Sequence, residues 1–492
     1  MAEETDKRTQ LGGKRKLTLV DATAQSVGLM GPVFSIAFLV PLVVGIISAT
    51  GNGAGNAAAL AVLIALVGVI GLGWIIAEYT RKIQAAGSLY DYVTDGLGSR
   101  VGTASGWLYY AGMLALGAGI LPLIGGTIHD ILQGEFNHPL LPYPAWDVLL
   151  FILVGTIIYF GVALSTRVQL TLALVSVTVV LVFSIYVIIK SGGLHHVASG
   201  FSPSGSPLHW KGVFFGVLYG VLLFTGFETS ANLAEETDRP HHNIPRAVIL
   251  AVLIIGVFYV IATFAQIAGF HFSLKSLGAN AGGPLFALAG PSSGGGYGGT
   301  GVRRLVELVV VLDMIAVLIG CAVSASRGVF ALARDRKAPS PLKSISRHGT
   351  PLGATGFVLF VYAVIIVLVA TTTSFAIPQN PEYFSMFSWL STFGGFAIAS
   401  IYLLISVGAL RGLTGGDGRW KIYLASLVGI VVTGAAIYGA VYKVTAPTIY
   451  APYVAIAILV VGLIAASATP QSMRGTADFT GLSESDQGPL KV

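Results

Sequence analysis

Charge is what this sequence has least of. Asp, Glu, Lys and Arg make up 10% of its 492 residues, against roughly 25% in an ordinary soluble domain. A water-facing surface cannot be assembled from so few charges, so most of the surface must meet lipid. Cysteine is almost absent as well. Cys321 stands alone inside an apolar run, which excludes a disulfide framework and a thiolate metal site. The polar leader from Met1 to Asp21 carries Lys14, Arg15 and Lys16 but no small-residue cleavage site, so no cleaved signal peptide is expected. Nothing resembles a catalytic triad or a metalloprotease motif. The pairs His195-His196 and His241-His242 sit in polar stretches, where adjacent positions do not share a helix face. No carboxylate or cysteine pattern completes a metal site around them. Gly51-Asn52-Gly53-Ala54-Gly55 lacks the strand, helix and lysine that a nucleotide site needs. Neither an enzyme, a cofactor nor a resident metal is expected.

What the chain does contain is apolar sequence: 54% of its residues are hydrophobic and the mean hydropathy is +0.80. Runs long enough to span a bilayer fall near 22–48, 57–79, 101–131, 146–164, 169–189, 212–236, 247–272, 304–333, 353–373, 384–410, 421–442 and 449–467. An all-α integral membrane protein of about twelve spans follows, without soluble domains. The net charge of +6 and pI near 9.2 would suggest nucleic acid in a soluble chain. Here placement matters more than the sum, and no nucleic-acid partner is expected. With the N-terminus inside, only Lys190, Lys211, Lys275, Arg303, Arg304 and Lys443 of the 28 Lys and Arg fall outside. The positive-inside rule therefore puts both termini in the cytoplasm of a multi-pass cell-membrane protein. The stretch 470–492 reads as a polar disordered tail. The loop through Ser292-Ser293-Gly294-Gly295-Gly296 reads as a flexible external connector.

Two runs are interrupted. The first holds Ser26-Val27-Gly28-Leu29-Met30-Gly31-Pro32, with Pro41 as a further kink, and the sixth holds Phe224-Thr225-Gly226-Phe227-Glu228. Proline lacks an N–H and glycine weakens a helix, so these are the places where each is readiest to open. Gly and Pro are also frequent in ordinary membrane helices. The two interruptions, however, occupy corresponding places in five-helix halves, 22–191 and 212–410, followed by two further helices over 420–467. That arrangement points to an inverted-repeat transporter with a midplane site, where opened backbone offers N–H groups to anions and C=O groups to cations.

Four segments resemble the amino acid–polyamine–organocation superfamily of permeases, which has the leucine-transporter type of fold. Ala86-Gly87-Ser88-Leu89-Tyr90-Asp91-Tyr92 is similar to its A-G-G-x-Y-x-Y signature. Gly226-Phe227-Glu228, Glu235-Glu236 and Ile244-Pro245-Arg246-Ala247 resemble its G-F-E, E-E and I-P-R-A run. Thr166-Arg167-Val168-Gln169 is similar to another recurring segment. Ala325-Ser326-Arg327, Ala333-Arg334-Asp335 and Pro339 resemble A-S-R…A-R-D-G-x-x-P. The resemblance implies substrate contacts at Gly28, Met30, Gly31 and Pro32 and at Phe224, Thr225, Gly226, Phe227 and Glu228, with Phe224 or Phe227 closing over the substrate. Members often carry G-S-G in the first break, whose amides hold a substrate carboxylate; Met30-Gly31-Pro32 stands there instead. The helix 5 lysine of some proton-coupled relatives is replaced near Ser176.

Acids at membrane depth cost roughly 2.5–3.5 kcal/mol each and read as functional by default. Glu78 has Arg81 and Lys82 nearby, and Glu307 has Arg303 four residues back, so surface pairs account for both. Asp313 lies about ten residues into its run, roughly 15 Å deep at 1.5 Å per residue, without a nearby base. It faces the site or an ion pathway, or hydrogen-bonds a neighbouring helix. Glu228 holds a cation, carries a proton or caps broken backbone. The expected function is alternating-access transport of an amino acid or related amine, with Glu228 and Asp313 as coupling candidates for H+ or Na+. The alternatives are an ion importer of the same fold, for potassium for example, and a polyamine or amine exchanger.

Overall fold

A computed structural model describes residues 16–47, 51–160, 162–346, 349–372, 376–377, 381–413, 419–444 and 446–468. The leader before Lys16 and the tail from 470, two of the segments expected above, lie outside the described residues.

Helices account for the apolar runs. The first run is split into α1 (Leu19–Met30), α2 (Pro32–Phe38) and α3 (Val40–Val44), and α4 (Ala58–Lys82) follows. After a short helix α5 (Leu89–Leu97) come α6 (Ser99–Phe136), α7 (Tyr143–Tyr159) and α8 (Val162–Lys190). The sixth run is α9 (His209–Leu222), an irregular stretch and a 3-10 segment, Thr229–Glu236. The remainder is α10 (Pro240–Gly269), α11 (Thr300–Arg334), α12 (Leu352–Thr371), α13 (Glu382–Gly412), α14 (Arg419–Val441) and α15 (Tyr450–Ala468). Among the described residues nine helices are long and apolar enough to cross a membrane. The expected runs 1, 4 and 6 are shorter helical pieces, because two are interrupted and α7 has 17 residues. The loop between α10 and α11 corrects one expectation. It is folded, with short helices Leu274–Ala279 and Pro284–Ala289 and buried Leu285 and Leu288, and turns hold Gly296 N–H on Pro291 O.

Burial separates inner from outer helices. The apolar stretch of α11 is 83% buried, whereas that of α15 is 22% buried. The outer elements α8, α12 and α14 expose Leu174, Val182, Val367, Leu427 and Val431. Such a surface is stable only in lipid, where it costs nothing to leave apolar side chains uncovered. The chain is a multi-pass membrane protein.

The breaks form where glycine permits them. Gly31 takes φ 54° and ψ 65°, left-handed values that end α1 and let Pro32 open α2 at its first position. Gly226 takes φ +106°, and a Cβ there would strike the Leu29 side chain beside the other break. Near the chain's N-terminus, α1 starts with a capping box. The Thr18 hydroxyl accepts from Asp21 N–H at 3.3 Å, and the Asp21 carboxylate accepts from Thr18 N–H at 2.9 Å.

Gly226→Ala combines a left-handed alanine, about 1–2 kcal/mol, with the Leu29 clash. It is expected to lower the thermal midpoint of the detergent-solubilised protein by several degrees. Gly434→Ala, with no neighbour within 4 Å of the new methyl, is expected to leave that midpoint unchanged or slightly raised.

Candidate functional site

Opened backbone inside a membrane must find partners within the protein, and here they come both from across the two breaks and from within one of them. Ser26 Oγ accepts from Ser230 N–H at 3.0 Å, and the Thr229 hydroxyl donates to Gly226 O at 2.7 Å. The first break is also tied sideways. Gln25 donates through Nε2 to Gly320 O of α11 at 3.1 Å, and Gln169 of α8 donates to Gln25 Oε1 at 3.2 Å. Asn232 of the 3-10 segment bonds Ser324 of α11.

All nine residues expected at the site lie at or beside these breaks. Met30 is 3% and Glu228 0% exposed, and Phe224 and Phe227 are buried, while Thr225 is half-buried. Phe224 packs edge-on against Tyr259 of α10 at 5.2 Å between centroids, and Phe227 packs tilted against Tyr402 of α13 at 5.5 Å. The Glu228 carboxylate accepts from Tyr109 OH of α6 at 2.9 Å and, through its other oxygen, from Tyr402 OH. Phenols on two elements thus hold one acid at the end of the unwound stretch.

Asp313 makes the hydrogen bonds to a neighbouring helix that were one of its expected roles, and it makes them at the first break. Its Oδ2 accepts from Val33 N–H at 2.9 Å and Phe34 N–H at 2.8 Å. These are the amides that α2 leaves without intrahelical partners at its start, and a carboxylate there also meets the positive end of the helix dipole. Glu307 and Glu78 pair with Arg303 and Arg81, as expected. Ser176 donates to Val309 O at 2.9 Å, joining α8 to α11.

On the side of the membrane that carries residue 16, a polar lock closes the structure. Leu17 N–H donates to Glu236 O at 2.9 Å and Asp238 N–H to Leu17 O at 2.8 Å, so the entry to α1 pairs with the exit of the 3-10 segment. Glu236 accepts from the 1% exposed Arg327 at 2.7 Å. Glu235 pairs with Arg334 at 2.8 Å and accepts from Ala86 N–H at 2.8 Å. Nearby Asp91 in α5 has its carboxyl pushed well above the usual range by burial and then by Asp335.

Sequence reasoning missed Tyr109, Tyr259 and Tyr402, whose signal was a phenol deep inside an apolar run, and the Gln25–Gln169 pair. It found Arg327, Glu235 and Glu236 only as pieces of motifs.

Residues 26–468 match the family described as amino acid permease. The branched-chain amino acid permease BcaP of Bacillus subtilis is 25% identical over 374 residues, 70% of this chain and 72% of that protein. The γ-aminobutyric acid permease of Escherichia coli is 25% identical over 439 residues, 84% of this chain and 86% of that protein. A solved manganese transporter from Eremococcus coleocola aligns with a TM-score of 0.55 at 15% identity, over 91% of this chain and 94% of that one. That likeness concerns the fold alone.

Tyr402→Phe leaves a buried carboxylate oxygen without its donor, at about 1–3 kcal/mol. A thermal midpoint below the wild type is expected, and adding Tyr109→Phe should be non-additive because one acid serves both. Glu236→Gln alone strands the buried Arg327 charge, at about 3–5 kcal/mol. Glu236→Gln with Arg327→Met should recover much of that loss in the same thermal measurement.

Proposed function

The chain belongs to the amino acid permease family, and we propose that it is a secondary transporter moving an amino acid or a related amine across the cell membrane by alternating access. One observation carries this reading: two helices broken beside one another, with glycines and buried aromatic and acidic side chains gathered at the breaks. The relatives, permeases for branched-chain amino acids and γ-aminobutyrate, support the substrate class.

Substrate binds between Gly28, Met30, Gly31 and Pro32 on one side and Phe224, Thr225, Gly226, Phe227 and Glu228 on the other. Binding energy there has to be spent on differences between open and closed states, since a ligand shifts an equilibrium only through differential affinity. The closed lock at Arg327–Glu236 and Arg334–Glu235 is one end of that equilibrium. Release toward the side of residue 16 requires both ion pairs to part, as the halves 22–191 and 212–410 rock against each other. The lysine and arginine bias makes that side the cytoplasm. Glu228 and Asp313, both wholly buried acids, are the groups through which H+ or Na+ couples to transport.

The purified protein in liposomes is expected to show saturable uptake or counterflow of an amino acid or amine. Glu228→Gln and Asp313→Asn should each reduce it at least tenfold while expression is maintained. Potassium current without organic substrate would instead favour an ion importer, and normal transport by both variants across pH would remove these acids from the site.

A further inference from the structure

We infer that the charged group recognised at the first helix break is an ammonium, and that the preferred substrate is an amine lacking a carboxylate there. The inference rests on the transport reading above and narrows its substrate class.

The argument starts from donors. Opened backbone at the start of α2 offers N–H groups that suit an anion. Pro32 has none, and the next two, of Val33 and Phe34, both donate to Asp313 Oδ2. The protein's own carboxylate therefore sits where a substrate carboxylate would have to bind, and its charge repels a second one.

The surrounding side chains are committed in the same direction. Tyr259, Thr263 and Gln266 recur at helical spacing on the face of α10 that meets the first run. Tyr259 OH donates to Met30 O at 3.2 Å, and Ser35 Oγ donates to the same oxygen at 3.0 Å. Gln266 Nε2 donates to Ile36 O at 2.8 Å. The donors in this wall are spent on backbone carbonyls. Left over are acceptors: Asp313 Oδ1 and Gln266 Oε1 are buried and lack a hydrogen-bond partner among the described residues, as does the Thr263 hydroxyl, which can act either way. Asp313 is itself 0% exposed. A buried wall with unused acceptors and a negative charge fits a group that only donates and is positive, and a primary ammonium, with three donors and no acceptor, is such a group. No group of three or more His, Cys, Asp and Glu is present among the described residues to hold a metal ion instead.

The test uses pairs that differ only in the carboxylate: L-leucine with 3-methylbutylamine, L-lysine with cadaverine, and L-ornithine with putrescine. Counterflow and thermal shift on the full-length protein should favour the decarboxylated member of at least one pair by tenfold or more. Asp313→Asn keeps an acceptor for the amides but loses the charge, and should weaken the amine at least tenfold. Asp313→Ala frees the Val33 and Phe34 amides and should narrow the preference toward the carboxylate-bearing member. Equal or stronger responses to the amino acids overturn the inference and leave the transport reading standing. An unchanged preference in Asp313→Asn makes Asp313 a helix cap only, and stabilisation by sodium chloride over choline chloride with no amine response makes it a sodium site. Silence from every pair overturns the transport reading as well.

Discussion

The structure depends on one constraint: a helix opened inside a membrane must have its freed N–H and C=O groups satisfied by the protein. Asp313 meets that demand where it is most acute. Its carboxylate takes two amides at the start of α2, in a region where each unsatisfied group would cost several kcal/mol. Because Asp313 belongs to α11, the most buried of the long helices, the first break is anchored to the centre of the bundle. The Gln25 bond to Gly320 and the Gln169 bond to Gln25 fasten the same break from the other side of the glycine.

The second break solves the same problem differently. After α9 ends at Leu222 the chain turns through Gly226 and continues as a 3-10 segment. Its acid, Glu228, accepts from two phenols of distant helices as well as from backbone of the break itself. Asp313 is thus bound to backbone of another helix, whereas Glu228 adds two phenols to its own local backbone. Rotating a tyrosine removes one partner of Glu228, whereas releasing Asp313 exposes the end of a half-helix.

Beyond the site, the polar lock near residue 16 joins the two interrupted runs at their ends. Leu17 pairs with backbone after the 3-10 segment, while Arg327 and Arg334 hold the adjacent glutamates. Buried ion pairs are poor sources of stability because desolvation offsets most of their attraction. Their value here is in specificity, since they fix α11 against the 3-10 segment, and under the proposed alternating access they are the contacts that part.

The sequence by itself determined the membrane environment, the helical class and the positions of both breaks. Each follows from short-range physics: too few charges for a watery surface, runs of bilayer length, and Gly31-Pro32 and Gly226 where a helix cannot easily continue. Glu78 and Glu307 were legible for the same reason, because their partners lie three and four residues away. The partners of Glu228 and Asp313 were not legible. Tyr109 and Tyr402 are 119 and 174 residues from Glu228, and Val33 is 280 residues from Asp313. No periodicity encodes such distances. Folding in the loop between α10 and α11 was hidden as well, since its glycines mask the tertiary contacts that bury Leu285 and Leu288. Only packing decided that Asp313 would meet the amides of α2 and Glu228 the phenols of α6 and α13, because helix breaks expose groups locally while these partners arrive from elsewhere in the chain.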